Sequence, residues 1–182
     1  MKNSFFCKSP YINLYDSTKK NKKISSQLLY GEKFIVLKKI KKYLKIKTSY
    51  DNYCGYILDR QYKKDFKPTH KVKKLKTKIY KSNNYLPFSS KIQILKRKNN
   101  YVMFEKNRWV NRKDLCHINK KEKNFNRIFK LYLNCKYRWG GGNFDGIDCS
   151  ALLQIFYKFN NKFFPRDTKD QVKYKKGFKY KK

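Results

Sequence analysis

Short apolar runs separated by polar breaks fill the first third of the chain, at positions 12–15, 27–30, 33–38, 43–47 and 54–58. Tyr43-Leu-Lys-Ile-Lys alternates with period two, as a strand with one buried face does, and Tyr30-Gly31-Glu32 and Ser49-Tyr50-Asp51-Asn52 carry turn chemistry between runs. Five short strands in roughly fifty residues predict a small all-β barrel. A second copy follows. Lys78-Ile-Tyr-Lys-Ser aligns with Asn13-Leu-Tyr-Asp-Ser, Lys91-Ile-Gln-Ile-Leu-Lys with Lys33-Phe-Ile-Val-Leu-Lys, Asn100-Tyr-Val-Met-Phe with Lys42-Tyr-Leu-Lys-Ile, and Arg108-Trp-Val with Gly55-Tyr-Ile. The last three pairings have offsets of 58, 58 and 53 residues, which predicts one duplicated unit with a shortened final hairpin. Phe66-Lys-Pro-Thr-His70 connects the copies, with Pro68 breaking any helix, and His70 receives no role.

Beyond Lys120 the period changes. Phe125, Ile128, Phe129, Tyr132 and Leu133 fall on one face of a helix expected over 122–134. Next comes an island of unusual composition, 136–154, in which four of the seven glycines lie between Gly140 and Gly146. Asp148-Cys149-Ser150 then opens a run whose Leu152, Leu153, Ile155, Phe156 and Phe159 recur at helical spacing, until Asn160-Asn161 stops it. With Asp148 as N-cap, Cys149 takes the first helical position, where unpaired N–H groups and the macrodipole favour a thiolate. A cysteine there can equally be an inert small apolar side chain, so its neighbours bear on the choice. Phe163-Phe164-Pro165 reads as a turn, 166–171 as a short helix or turn, and 174–182 as a tail of lysine and aromatic residues.

Composition limits the options. Aromatic residues make up 18% and supply apolar mass despite a mean hydropathy of -0.93, so a packed core is expected. The net charge is +36, from 48 Lys and Arg against 12 Asp and Glu, yet only seven of the basic residues are Arg and there is a single alanine, Ala151. Lysine-rich, alanine-poor usage is what a genome poor in G and C produces, and the lysines are scattered. The charge therefore reads as a solvated coat more than a phosphate footprint, and nucleic acid is the weaker partner expectation. Cys7, Cys54, Cys116, Cys135 and Cys149 form no C-x-x-C pair and are odd in number, which predicts reduced thiols, no disulfide scaffold and no metal site. No segment has the length and apolarity of a leader or membrane span, so the expectation is a soluble, cytoplasmic protein without cofactor.

Two resemblances extend this reading. Leu14-Tyr15, Gly31-Glu32 and Gly55-Tyr56-Ile57 in the first copy, with Ile79-Tyr80 and Trp109-Val110 in the second, resemble bacterial SH3-like (SH3b) domains. The Tyr137-x-Trp139-Gly-Gly entry, the helix-borne Asp148-Cys149-Ser150 and the Pro165-Arg-x-Thr-x-x-Gln171 exit together resemble the front half of an NlpC/P60 cysteine peptidase. The fold class implied is α+β, with two small SH3-like barrels (1–64 and 68–118) followed by the helical N-terminal part of a papain-like domain (119–182). Members with two SH3b domains are γ-D-glutamyl-L-diamino acid endopeptidases acting on cell-wall muropeptides. The resemblance makes Cys149 the nucleophile, Asp148 the holder of the peptide's free amino group with Ser150 beside it, and Tyr137 and Trp139 the pocket walls. Tyr137 would also help bind the oxyanion, while Asp167 and Thr168 would touch substrate. Glu32 and Tyr56 are weaker candidates to close the site.

The chain departs from that family in two places. Ala151 replaces the usual glycine after Asp-Cys-Ser, a change a helix tolerates. The family's catalytic histidine follows the cysteine, whereas His70 and His117 both precede it and neither matches the motif. Without a base the cysteine loses most of its rate. The favoured expectation is a fragment, because the helices at 122–134 and 149–159 have apolar faces and no sheet of their own to bury them. The alternatives are a complete non-catalytic protein that binds wall peptide or an anionic polymer, and a basic nucleic-acid binder.

Overall fold

The computed structural model describes residues 4–59 and 62–174; most of the tail expected at 174–182 lies outside them. The first unit is one antiparallel sheet of β1 (Ser4–Phe6), β2 (Tyr11–Tyr15), β3 (Ile24–Leu29), β4 (Lys33–Ile40), β5 (Tyr43–Thr48) and β6 (Cys54–Leu58). Its spatial order is β1-β4-β5-β6-β2-β3. The five expected strands all form, and β1 adds an edge. Alternation works as expected in β2, where Ile12 and Leu14 turn inward to join Leu28, Phe34, Ile46 and Ile57 in a buried cluster.

The second unit contains β7 (His70–Val72), β8 (Lys76–Lys78), β9 (Tyr85–Pro87), β10 (Lys91–Ile92), β11 (Lys96–Lys98), β12 (Tyr101–Glu105), β13 (Arg108–Asn111) and β14 (Leu115–His117). They form the sheets β10-β7-β14, β11-β12-β13 and β8-β9 around a core of Val72, Leu86, Ile92, Val102, Phe104 and Val110. Two sequence expectations are corrected. His70 begins β7 instead of lying in a connector, and it pairs across the ladder with His117. The strand expected over 91–96 divides between β10 and β11, since Lys91 and Ile92 pair with β7 while Lys96 pairs with Met103 of β12.

The last part holds α1 (Phe125–Phe129), a 3-10 turn (Lys130–Tyr132), the two-residue strands β15 (Gly142–Asn143) and β16 (Gly146–Ile147), α2 (Cys149–Phe159) and α3 (Thr168–Lys173). The helix expected at 122–134 is shorter at both ends. Glu122 cannot start it, because its N–H and carbonyl are engaged by the Asn160 side chain at 2.8 and 3.0 Å; Asn124 caps instead, accepting from the Asn126 N–H. α2 matches its expected span, and Asn161 leaves it with a left-handed φ of 53°, a conformation asparagine tolerates.

The apolar face of α2 is covered, contrary to the expectation that it lacked a partner. Ala151, Ile155, Phe156 and Phe159 pack with Leu29 of the first unit and Phe88 of the second, and the Phe88 and Phe159 rings stack at 4.8 Å. Consecutive residues at the end of β3 serve all three cores: Leu28 packs in the first, Leu29 beside α2, and Tyr30 in the second. The C-terminal end of α2 is tied to both β units. Lys158 pairs with Glu32 at 2.9 Å, and the fully buried Lys71 of β7 donates to the carbonyls of Phe159 and Lys120. Cations at that end complement the helix dipole. No helix among the described residues is long and apolar enough to cross a membrane.

Candidate active site

The glycine-rich segment folds as it does because Asp148 organises it. The Asp148 carboxylate caps α2 by accepting from the Ala151 N–H at 2.8 Å, and it reaches back to accept from the Gly140 N–H at 3.0 Å. Gly140 has φ +71°, and a Cβ there would lie 2.3 Å from the Ile24 carbonyl oxygen. Only glycine lets the loop make that turn while lying against β3. The first unit fixes the rest of the loop: Gln27 Oε1 accepts from both the Gly142 N–H and the Asn143 amide at 2.8 Å, and the Tyr11 hydroxyl donates to Asp145 at 2.7 Å.

Arg166 completes the frame from the segment after α2. Its guanidinium grips Asp148 in a fork, with Nη2 to Oδ2 at 2.7 Å and Nη1 to Oδ1 at 3.1 Å, and it also donates to Ser150 Oγ at 2.7 Å and Ser26 Oγ at 3.0 Å. Both partners are almost wholly buried, with side-chain exposures of 4% and 8%. Bidentate, charge-assisted bonding is the geometry that offsets their desolvation.

Cys149 stands exposed at the first position of α2, at the edge of a cleft of about 330 Å³. That cleft collects the seven main residues assigned a site role from the sequence: Tyr137, Trp139, Asp148, Cys149, Ser150, Asp167 and Thr168. Tyr137 and Trp139 keep 66% and 69% of their surface in solvent, so two aromatic faces are presented beside the thiol. Asp148 differs from expectation. Each of its oxygens is already engaged by Arg166 and by backbone or Ser150 donors, so an incoming ammonium would compete with a guanidinium. Asp167, half-buried, is the freer carboxylate.

Four lining residues escaped the sequence reading: Ser25, Tyr53, Arg166 and Lys169. Ser25 and Tyr53 come from the first β unit. Burial pushes the Tyr53 phenol up, with the Asp167 carboxylate adding to it and Ser25 and Arg166 opposing. No local pattern marks Ser25 or Tyr53, although the polar pair Ser26-Gln27 inside a strand, both buried, is a signal that β3 meets something polar. Glu32 and Tyr56 do not line this cleft: Glu32 is held by Lys158 and the Leu29 N–H, and Tyr56 sits in the β6 ladder opposite Lys45. Neither His70 nor His117 lines it; their rings meet edge to face, with centroids 5.8 Å apart, on β7 and β14. Among the described residues no group of three or more His, Cys, Asp or Glu is placed to hold a metal.

Fold and cleft together define a mostly-β protein in which an SH3-like unit is built into the wall of a cysteine-bearing helical site. Residues 134–182 match the NlpC/P60 family, and residues 14–61 match the Sh3 domain of bacterial dipeptidyl-peptidases. It is similar to the gamma-D-glutamyl-L-lysine dipeptidyl-peptidase of Bacillus subtilis (strain 168), at 26% identity covering 85% of this chain and 59% of that protein. The chain thus spans under two thirds of that relative's length. An NlpC/P60 family protein from Bacillus cereus ATCC 10987 shares the fold, with a TM-score of 0.77 at 16% identity over 93% of this chain and 76% of that one. An NlpC/P60 endopeptidase from Photobacterium damselae subsp. piscicida does so with a TM-score of 0.65 at 16% identity, over 92% of this chain and 45% of that one.

Proposed function

We propose that this chain builds the substrate cleft and supplies the nucleophile of a cysteine peptidase that cleaves the amide between γ-D-Glu and a diamino acid in cell-wall peptides with a free N-terminal L-Ala. The observation that carries the proposal is the convergence on one cleft of an exposed helix-borne thiol, two exposed aromatic walls and a partly exposed carboxylate. The substrate relationship follows the activity in the name of the Bacillus subtilis relative. In the same reading the chain divides into SH3-like units at 1–64 and 68–118 and a peptidase part at 119–182, and the separate core of the second unit supports that division.

In the proposed reaction, Cys149 Sγ attacks the γ-carbonyl carbon of D-Glu. The developing oxyanion is met by the α2 N-terminus and the Tyr137 hydroxyl. The C–N bond breaks, the diamino acid leaves with a proton on its amine, and water hydrolyses the thioester. Tyr137 and Trp139 wall the peptide, Asp167 receives its ammonium with Thr168 beside it, and Ser150 and the Arg166-bound Asp148 form the floor. Proton transfer needs a base at hydrogen-bonding distance of Sγ, a part that His70 and His117 do not supply in the described cleft.

The test supplies that base from solution. With L-Ala-γ-D-Glu-L-Lys, free lysine should appear slowly, faster with added imidazole, and not at all with Cys149→Ala. Calorimetry on the Cys149→Ala protein should register the peptide and lose it when the amino terminus is acetylated. Lysine release that persists in Cys149→Ala would overturn the assigned nucleophile, and equal binding of the acetylated peptide would overturn the acidic subsite.

A further inference from the structure

A second cleft, of about 360 Å³, opens at the C-terminal end of α2 and shares no residue with the cleft at Cys149. All three parts of the chain line it. Glu32, Lys33 and Tyr50 come from the first β unit, Lys91 from the second, and Lys158 and Lys162 from α2 and the turn after it. The two β units meet closely here: a Cβ on Gly31, whose φ is +77°, would lie 2.2 Å from the Lys91 carbonyl oxygen, and the Lys91 N–H donates to the Tyr30 carbonyl at 2.9 Å. The backbone of Lys91 is thereby fixed against the turn that carries Glu32.

Charge does not balance in this cleft. Glu32 is its one carboxylate among the described residues, and both of its oxygens are committed, Oε1 to Lys158 Nζ at 2.9 Å and Oε2 to the Leu29 N–H at 3.0 Å. Lys158 is itself buried, with its ammonium 5.1 Å from the centre of the Tyr50 ring. Lys91, half-buried beside that pair, makes no ion pair among the described residues. Burial lowers its pKa, with Lys158 adding to the effect and Glu32 opposing it. Lys33 and Lys162 add exposed cations at the mouth. Withdrawing an ammonium from water without a counter-ion is costly, and an anion seated beside it would remove that cost.

We propose that this cleft binds a phosphate dianion, free or as the phosphoryl group of a small ester, held by Lys33, Lys91 and Lys162 and clamping the three parts of the chain together. Four lysines against one glutamate leave a net +3, which a dianion offsets without reversing. The kind of cation favours phosphate. No arginine lines the cleft among the described residues, so the planar fork that suits a carboxylate is missing, whereas ammonium groups brought from three parts of the chain act as point charges on a tetrahedral group. Ligand sites span roughly 300–1,000 Å³, so this one suits a phosphoryl group with at most a sugar-sized substituent. The remaining lysine coat differs in kind, because here Lys91 and Lys158 are drawn out of solvent around a carboxylate that is already satisfied.

The experiment uses the full chain, with inorganic phosphate and glucose 1-phosphate as probes, calorimetry for affinity, and thermal melts at constant ionic strength balanced with sodium chloride. Phosphate should bind at a single saturable site and raise Tm beyond the effect of chloride. Lys91→Met should weaken binding at least about tenfold, the loss of one charge-assisted hydrogen bond. In phosphate-free buffer the same variant should melt no lower than the wild type, since it removes an ammonium that lacks a counter-ion. Lys162→Gln, at an exposed position, should weaken binding by about threefold, and Lys98→Gln, on β11 outside the cleft, should leave it unchanged. The proposal is overturned if chloride at equal ionic strength stabilises as much as phosphate, or if Lys91→Met and Lys162→Gln bind phosphate as the wild type does. Either result would assign the effect to the general lysine coat. Between the supporting results, tighter glucose 1-phosphate assigns an ester-borne group and tighter phosphate the free ion.

Discussion

Replacing Arg166 by methionine removes the guanidinium from the buried fork while keeping an unbranched apolar side chain in its place. The Asp148 carboxylate is then left in a site where its own exposure is 8%, with only the Gly140, Ser150 and Ala151 donors remaining. Stranding one member of a buried ion pair costs about 3–5 kcal/mol. Against a total stability on the order of 5–15 kcal/mol, that is a large share. For a chain of this size each kcal/mol moves Tm by about 2–4 °C, so the fall should be about 6–20 °C. Urea denaturation gives the free-energy change directly. Because Asp148 also caps α2, the Asp148→Asn variant should be destabilised as well, and the Arg166→Met, Asp148→Asn double variant should lose clearly less than the sum of the two. The thiol at position 149 provides a local reading, since a loosened cap should change its rate of alkylation. A loss below about 1 kcal/mol, the range of exposed pairs, would refute the claim that this fork frames the site.

Two further outcomes follow from the packing around the site. Burial pushes the Lys71 amine down to about 8, with Lys121 and Lys91 adding to the effect and Cys116 opposing it. Between there and the ordinary lysine range near about 10.4 the unfolded chain holds a proton the native chain lacks, so this lysine makes stability rise with pH across that window; the wild-type minus Lys71→Met difference in unfolding free energy should climb over it, and parallel curves would contradict the assignment. Gly140→Ala should cost at least about 2 kcal/mol from left-handed strain and its clash with the Ile24 carbonyl, whereas Gly142→Ala, whose Cβ would meet only Gln27 Oε1 at 3.9 Å, should stay within about 1 kcal/mol in the same urea titration.

What local patterning encodes was readable from the chain. Cys54–Leu58 and Cys149–Phe159 form over the spans their periodicity marks, and Asp148 caps as its position suggests. The residues gathered around Cys149 were readable because they lie within 35 positions of one another, between Tyr137 and Gln171. Ser25 and Tyr53 were not, since they reach the cleft from β3 and from the loop before β6, 125 and 97 positions before Ser150, and no short-range pattern encodes such an approach. Arg166 carries no periodic or motif signal of its contact with Asp148, 18 positions earlier; only the buried geometry shows that it holds that carboxylate. The helix starting at Glu122 failed for a similar reason, because its backbone groups are taken by Asn160.

Leu28, Leu29 and Tyr30 each enter a different core. Such an arrangement limits how the chain can be rearranged by recombination or engineering. A replacement for the first unit would have to end β3 with side chains of matching shape for two neighbours as well as for itself. The three units are therefore better regarded as one inherited block than as interchangeable parts. Removing the first should destabilise the second β unit and the Cys149 loop together, so that they melt in a single transition at lower temperature.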